Sequence, residues 1–418
     1  MSSVPSIDTV LLAARNMPGL GCFDTGLRTT VVTWGSGPIH LQNSGWQQFV
    51  REYCRPTASS SHVFCGGVIG WLGYEAGATV ERMPTPSGPR PTHDVCLWRT
   101  DGALTFDHID AEWSIQGSPS FRTEAHELLK QASTCTNPEI APQDMPAWRP
   151  TDHQQRSSHF TDGVRSILQA IHAGDVYQVN LSWEQTGIPI DDGIRTWLEL
   201  RKQNPALRGC YLCQGDVEIL SNSPELFLHV DGASRRAISI PIKGTVPLAG
   251  GEPAKQHLLE SPKERAELTM IVDLVRNDLG RVATPGTVET SERSLRRCGD
   301  LWHAEQAVQA DLKPGIDVVD AFCAAFPPGS VTGAPKVRAM EIIRTLEDQP
   351  RGIYTGAIGW FADGGSAHFN VAIRTATLTK GMGRFHVGAG IVADSQPDLE
   401  WSETLSKAGA MAHCLEAE

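Results

Sequence analysis

From about residue 159 to its C-terminal end the chain alternates strand-like and helix-like stretches with little between them, and this succession constrains the fold more than any other feature. Runs of strand character read GDVEILSNSPELFLHV (215–230), RRAISIPIKGT (235–245), GIYTGAIGWF (352–361), AHFNVAIRTATLT (367–379) and GRFHVGAGIVA (383–393). Helical patterns fall at 262–279, 335–347 and 397–416. An earlier one, in FTDGVRSILQAIHAGD, has Thr161 as N-cap and Gly174 as C-cap. Strands that follow one another as hairpins, with helices inserted between them, predict an α+β sandwich and not a doubly wound parallel sheet.

Residues 1–135 hold shorter strand-like runs, such as LRTTVVTWG and DGALTFDHID, and the glycine-rich CGGVIGWLGYEAG. Residues 136–158 are rich in Pro, Gln and Ser and read as a linker or long surface loop. The chemistry concentrates in 159–418. A chain of 418 residues is long enough for two or three cores or one large two-lobed one. No apolar run approaches the roughly 18 residues that a membrane span needs. The opening MSSVPSIDTVLLAARNMPGL lacks a basic stretch followed by an apolar core, which argues against secretion and predicts a cytoplasmic protein.

The net charge of −12 argues against nucleic acid as a partner, because binding it needs a basic face. A small anion is still admissible, since a few local cations outweigh a distant field. Ten scattered cysteines in so long a chain read as reduced thiols. The lone C-x-x-C pair, Cys210 and Cys213, lies in an apolar stretch with no second pair, so strand packing is expected there and not a zinc site.

In RRAISIPIKGT, Ile238, Ile240 and Ile242 alternate, which predicts one apolar face and sets Lys243 on the other, behind Ala237, Ser239 and Pro241. Taken alone, such a lysine is a solvated strand cation. Two helices show a second oddity. In ESPKERAELTMIVDLVRNDLGRV, Ser261 caps, Pro262 opens and Gly280 stops the helix, and one stripe carries Glu264, Glu267, Ile271, Leu274 and Asp278. In PDLEWSETLSKAGAMAHCLEAE, Glu400, Glu403, Lys407 and Ala410 share a stripe. The plain alternative is a capping box from Ser261 to Glu264, a Lys263–Glu267 pair and two solvated acidic faces. Four carboxylates without a histidine cluster suit a hard cation, and Mg²⁺ held through one or two of them is the natural choice.

Donors for an anion are also present. FPPGSVTGAPKVRAMEII ends a loop and opens a helix at Pro335, so backbone amides near Ser330 to Gly333 are predicted to face a ligand. Arg374 of FNVAIRT brings a planar fork suited to a carboxylate, Tyr354 a hydroxyl, and Gly388 and Gly390 places where backbone can approach a ligand closely. GAGIVA also matches a weak dinucleotide fingerprint, but no βαβ unit follows it.

Together these pieces resemble the chorismate-utilising enzymes, over roughly residues 156–414. The strings that carry the likeness, in order, are SPELF, PIKGT, KERAELTMIVDLVRNDLGRV, FPPGSVTGAPKVRAMEII, YTGAIG, AIRT, GAGIVADSQP and EWSETLSKA. The resemblance implies two stacked antiparallel sheets flanked by helices, with the active site between the layers. It implies Glu267 and Glu403 as direct Mg²⁺ ligands, with Glu264 and Glu400 acting through water. Tyr354, Arg374, the amides of Gly388 and Gly390 and nearby Lys407 would hold the enolpyruvyl carboxylate of chorismate. Members that activate water carry a lysine where this chain has Gln178, and anthranilate synthases read PIAGT where this chain has PIKGT. The lysine form is that of aminodeoxychorismate synthase. By resemblance Lys243 is the nucleophile, Glu225 of SPELF the general acid, and His303 an orienting group near the ring. The implied reaction joins chorismate and ammonia, supplied by a glutamine amidotransferase subunit, through a lysine adduct, on the route to 4-aminobenzoate. The rivals are anthranilate synthase chemistry and a glutaminase-binding scaffold without chemistry.

Overall fold

The strands sort by sheet and not by order along the chain. The computed structural model describes residues 4–26, 28–55, 64–83, 92–134, 150 and 152–415, and among them two large antiparallel sheets carry most of the strands. The first has ten, in the order Gly333–Ala334, Gln178–Pro189, Met382–Ile391, Thr375–Thr379, Val217–Ser221, Cys210–Gln214, Leu20–Asp24, Thr29–Thr33, Gly102–Asp107 and Glu112–Gly117. The second has nine, in the order Glu289–Thr290, Val308–Asp311, Arg236–Ile240, Leu226–Asp231, Ala367–Val371, Ala357–Ala362, Gly67–Leu72, Val95–Thr100 and Ile39–His40. A small third sheet sets Leu301–Glu305 between Ile242–Pro247 and Ser294–Cys298.

Strands from the first 135 residues complete both large sheets. Leu20–Asp24 pairs with Cys210–Gln214, with Gly21 opposite Leu212, and Gly67–Leu72 pairs with Ala357–Ala362, with Gly70 opposite Gly359. The sheets stack over an apolar layer drawn from both, including Phe23, Ile69, Trp71, Leu212, Ile219, Ile358 and Trp360. Helices close the outer faces. His153–His172, Lys336–Leu346 and Pro397–Leu415 cover the first sheet through Phe160, Val164, Ile343, Trp401 and Met411. Pro262–Gly280 and Val318–Ala325 cover the second through Leu268, Ile271, Val272 and Phe322. The predicted α+β sandwich is what forms. Among the described residues no helix is long and apolar enough to cross a membrane.

Three local expectations are corrected. The helix expected to open at Thr161 starts at His153, and the Thr161 hydroxyl instead bonds the Ser158 carbonyl within the helix. Its early turns are held by packing, with His153 against Trp401 and Arg156 over Trp183, so tertiary contact overrides the weak local signal. Of the expected 136–158 linker, 153–158 is therefore helix, and 136–149 and 151 lie outside the described residues. The C-terminal end behaves as read: Gly174 takes φ +81°, and the Asp175 amide closes back on the Ala170 carbonyl.

Secondly, RRAISIPIKGT is two strands, with Arg236–Ile240 in the second sheet and Ile242–Pro247 in the third. The buried side is Ala237 and Ser239, while Ile238, Ile240 and Ile242 are half-buried. Small side chains sit where the Pro262–Gly280 helix closes over the sheet, so Ala237 joins that core. Thirdly, Asp278 does not continue the acidic stripe into the site. Its carboxylate takes a 2.6 Å ion pair from Lys336, whose amine also donates to the Ala325 carbonyl at 2.9 Å. Both side chains are buried, at 8% and 7% exposure. Lys336→Ala should therefore lower unfolding free energy by about 3–5 kcal/mol, because it strands a buried acid. A melt within a degree or two of wild type would show that the pair does not hold the two helices together.

The eight cysteines whose side chains are described are free thiols. Cys210 and Cys213 lie on one strand at a spacing that sends them to opposite faces, so strand packing accounts for them.

Candidate active site

The site is built at the seam where the third sheet meets the edge of the first. Gln178 opens the strand Gln178–Pro189, which pairs with Met382–Ile391 so that Asn180 faces Gly390 and Ser182 faces Gly388. Gln178 is fully buried, yet neither its amide oxygen nor its amide nitrogen has a hydrogen-bond partner. A buried amide left open on both ends is ready to bind a polar ligand. A Cβ at Gly390 would lie 3.0 Å from Lys243 Nζ and 3.2 Å from Gln178 Nε2, so any side chain there would press on both groups. The lysine amine and the glutamine amide thus meet over bare backbone.

Lys243 reaches this point through a bulge. Ile242 pairs with Glu305 and Thr245 with His303, so Lys243 and Gly244 together oppose the single residue Ala304. Gly244 adopts φ +82°, and a Cβ on it would collide with a Glu264 carboxylate oxygen at 2.5 Å. The extra residue re-aims the lysine. Lys243 is half-buried, walled by protein but open to the cleft. Burial lowers its pKa, while Glu267 and Glu225 pull the other way and Lys407 assists the lowering.

Glu225 precedes the strand Leu226–Asp231 and is 3% exposed. Burial pushes its carboxyl up to about 7, opposed by hydrogen bonds from the Ser330 hydroxyl and the Ile242 amide and by the charge of Lys243. A proton held near neutrality is what a general acid needs. His303 gives or takes a 2.8 Å hydrogen bond between Nδ1 and the Thr245 hydroxyl, and its buried Nε2 has no partner. Burial, helped by the charge of Arg374, drops its pKa to about 3, so the ring is neutral.

The anion-binding end lies along the two glycines. A Cβ at Gly388 would come 2.8 Å from the Tyr354 hydroxyl, and the Tyr354 ring stacks on His386 at 5.4 Å. Arg374 has the left-handed φ of 49°, rare for a residue with a side chain. Burial lowers its pKa, and among the described residues its guanidinium makes no ion pair. Lys407 donates to the Gly388 carbonyl at 3.1 Å and pairs with Glu403 at 2.7 Å. The amides expected to point outward near Ser330 do not all do so. Those of Val331 and Thr332 turn back to Pro328 and Gly329, because the segment forms a tight 3₁₀ turn, while the Ser330 side chain serves Glu225.

The acidic stripes of Pro262–Gly280 and Pro397–Leu415 come together beside Lys243. Burial raises Glu267, with Glu264 and Glu400 adding to the rise and Lys243 opposing it. Burial also raises Glu400, whose carboxylate accepts from Ser395 at 2.6 Å and is repelled by Glu403. Glu403 is exposed at its side chain, and Lys407, Lys243 and Lys263 outweigh its partial desolvation and leave its pKa below the usual range. Like charges from two helices thus face one another, a donor set that fits a hard divalent cation in kind. Among the described residues, however, no three such side chains converge on one point.

Comparison with known proteins now bears on this geometry. The model of the chorismate binding enzymes matches residues 29–413. The chain belongs to the chorismate binding enzyme family. It is 36% identical to aminodeoxychorismate synthase component 1 of Bacillus subtilis (strain 168), over 84% of this chain and 77% of that protein. It is 35% identical to anthranilate synthase component 1 of Geobacillus stearothermophilus, over 89% and 78%. The crystal structure of anthranilate synthase component I from Streptococcus pneumoniae TIGR4 superposes with a TM-score of 0.81 and 26% identity, covering 92% of each chain. The fold of this family member is therefore the anthranilate synthase component I type.

Residues absent from the sequence reading also belong to the site's frame. Thr245 fixes the His303 ring, and Arg351 with Glu347 lies directly behind Tyr354. Arg351 stands three residues before a tyrosine already singled out, but most of its partners lie on distant segments and leave no local signature.

Proposed function

We propose that this chorismate binding enzyme converts chorismate and ammonia to 4-amino-4-deoxychorismate. The observation that carries the reading is the Lys243 amine, re-aimed by its bulge against Gly390 and beside Gln178, with Glu225 within electrostatic reach. Relatives named for this reaction and relatives named for anthranilate synthesis are about equally similar, so the choice rests on Lys243 and Gln178. Gln178 has no basic group to activate water, which supports amine addition over hydration.

In this reading the neutral Lys243 amine adds to carbon 2 of the cyclohexadiene, both ring double bonds shift by one position around the ring, and the bond from carbon 4 to its hydroxyl breaks. Glu225 gives its proton to the departing oxygen, which leaves as water. Ammonia then bonds to carbon 4, both double bonds shift back, and the bond from carbon 2 to Lys243 breaks, releasing the lysine as a neutral amine. Glu225 accepts a proton from the incoming nitrogen and so ends the cycle protonated. Arg374, Tyr354 and Lys407 with the backbone at Gly388 and Gly390 supply the carboxylate-binding end, and neutral His303 orients the ring. Mg²⁺ would be held by Glu267 and Glu403, with Glu264 and Glu400 behind them, and would supply charge for the ring carboxylate. The relatives carry the name component 1, which accords with a separate glutamine amidotransferase as the source of ammonia.

Incubation with chorismate, ammonium and Mg²⁺ tests the reading. The expected product keeps its enolpyruvyl group and yields 4-aminobenzoate only after a lyase is added. Pyruvate release with the fluorescence of anthranilate, and no lyase present, would replace this reaction with the other. Glu403→Gln should raise the Mg²⁺ concentration for half-maximal rate by about tenfold and raise chorismate KM with it, since ion and substrate share the carboxylates. An unchanged Mg²⁺ titration would remove Glu403 from the ion's site.

A further inference from the structure

Arg351 and Glu347 form a buried pair that the proposed chemistry does not use. Their side chains are 1% and 7% exposed, and the pair is doubly bonded: Nε to Oε2 at 2.8 Å and Nη2 to Oε1 at 2.6 Å. Every remaining guanidinium donor is spent on another segment. Nη2 donates to the Asn180 carbonyl at 2.6 Å, and Nη1 to the Val331 carbonyl at 3.1 Å and the Thr355 hydroxyl at 3.2 Å. Glu347 Oε1 in turn accepts from the Ser182 amide and hydroxyl, both at 2.8 Å.

Each contacted segment carries a residue of the cleft. Asn180 and Ser182 lie opposite Gly390 and Gly388, two and four residues after Gln178. Val331 follows Ser330, the partner of Glu225. Thr355 follows Tyr354, is itself held at φ 62°, and donates to the Tyr354 carbonyl at 2.5 Å. The guanidinium also lies over the rings of Tyr74 and Tyr354, 4.8 and 5.7 Å from their centroids. From the other side, both oxygens of Glu75 clamp the amides of Arg351 and Gly352 at 2.9 Å.

We infer that Arg351 and Glu347 are positioning residues that set the amide, hydroxyl and backbone groups of the substrate-binding end relative to one another. The inference rests on the functional reading above, because it takes chorismate as the molecule those groups hold. Five donors in one plane fixing three segments explain why arginine and not lysine stands here: an ammonium has three donors and no plane. The pair touches no substrate and works through Gln178, Ser330 and Tyr354.

The test compares Glu347→Gln and Arg351→Lys with Arg99→Lys. Arg99, on the strand Val95–Thr100, makes a buried pair at 2.6 Å with Asp363, in the turn after Ala357–Ala362, and neither segment carries a cleft residue. Chorismate KM and kcat are measured with saturating ammonium and Mg²⁺, well below each variant's Tm. Chorismate KM should rise on the order of tenfold in Glu347→Gln and Arg351→Lys, and stay within twofold of wild type in Arg99→Lys although its Tm falls. Should both hub variants fail to fold, Ser182→Ala, which removes one bond to Glu347, should still raise KM two- to threefold. Wild-type turnover with unchanged KM in the hub variants, in Ser182→Ala if those two do not fold, or an equal rise in Arg99→Lys, overturns the inference alone. No wild-type turnover of chorismate overturns the functional reading and this inference with it.

Discussion

Lys243→Ala should fold, bind Mg²⁺ and lose turnover by on the order of 10³-fold or more, the scale on which enzymes lose rate when a nucleophile is removed. The side chain reaches the cleft from a half-buried bulge, so its loss opens space next to solvent and costs little stability. Intact-mass measurement during turnover should show wild-type protein carrying an adduct of chorismate less one water, absent from the variant. The freed space lies beside Gln178 and Gly390, so residual chemistry in the variant should divert to addition at carbon 2. An adduct that persists in the variant, or turnover within tenfold of wild type, ends the case for this lysine as nucleophile.

Glu225→Gln should cost about 10²- to 10⁴-fold, the range for loss of a general acid. Its pH signature is more telling. Burial pushes the wild-type carboxyl up to about 7, and in the proposed reaction it must be protonated to release the hydroxyl. Adduct formation should therefore fall as pH rises through about 7. Lys243 must be unprotonated, and burial lowers its pKa, so its limb runs in the opposite direction. The two limbs together give a bell for adduct formation. Glutamine at 225 keeps the acceptor for Ser330 but carries no titrating proton, so the falling limb should vanish. A profile in the variant that still declines through neutrality would assign the limb to another group.

Helical spacing made the acidic stripes legible in part: Glu267 of one helix and Glu403 of the other both act on Lys243, and Glu264 and Glu400 act on Glu267, although among the described residues no three of these carboxylates converge on one point. The same logic over-extended to Asp278, because a period says which face a residue is on and not what waits opposite, here Lys336. The strand was read at the wrong face, since hydrophobicity alone ranks Ile238 above Ala237, whereas a close helix selects for smallness. Lys243 is aimed toward Gly390 by a bulge, and a register shift depends on the partner strand, which no local pattern encodes. Arg351 stayed hidden for a related reason: two of its acceptors are main-chain carbonyls, and every residue type owns one.

The early strands lie inside the two layers and not beside them. Leu20–Asp24 zips onto Cys210–Gln214, and Gly67–Leu72 onto Ala357–Ala362. Severing the polypeptide before residue 150 and keeping only the later portion would expose two raw hydrogen-bonding borders, an invitation to edge-to-edge aggregation. Any engineered minimal catalyst of this type must therefore retain its first third, in cis or as a co-expressed complement.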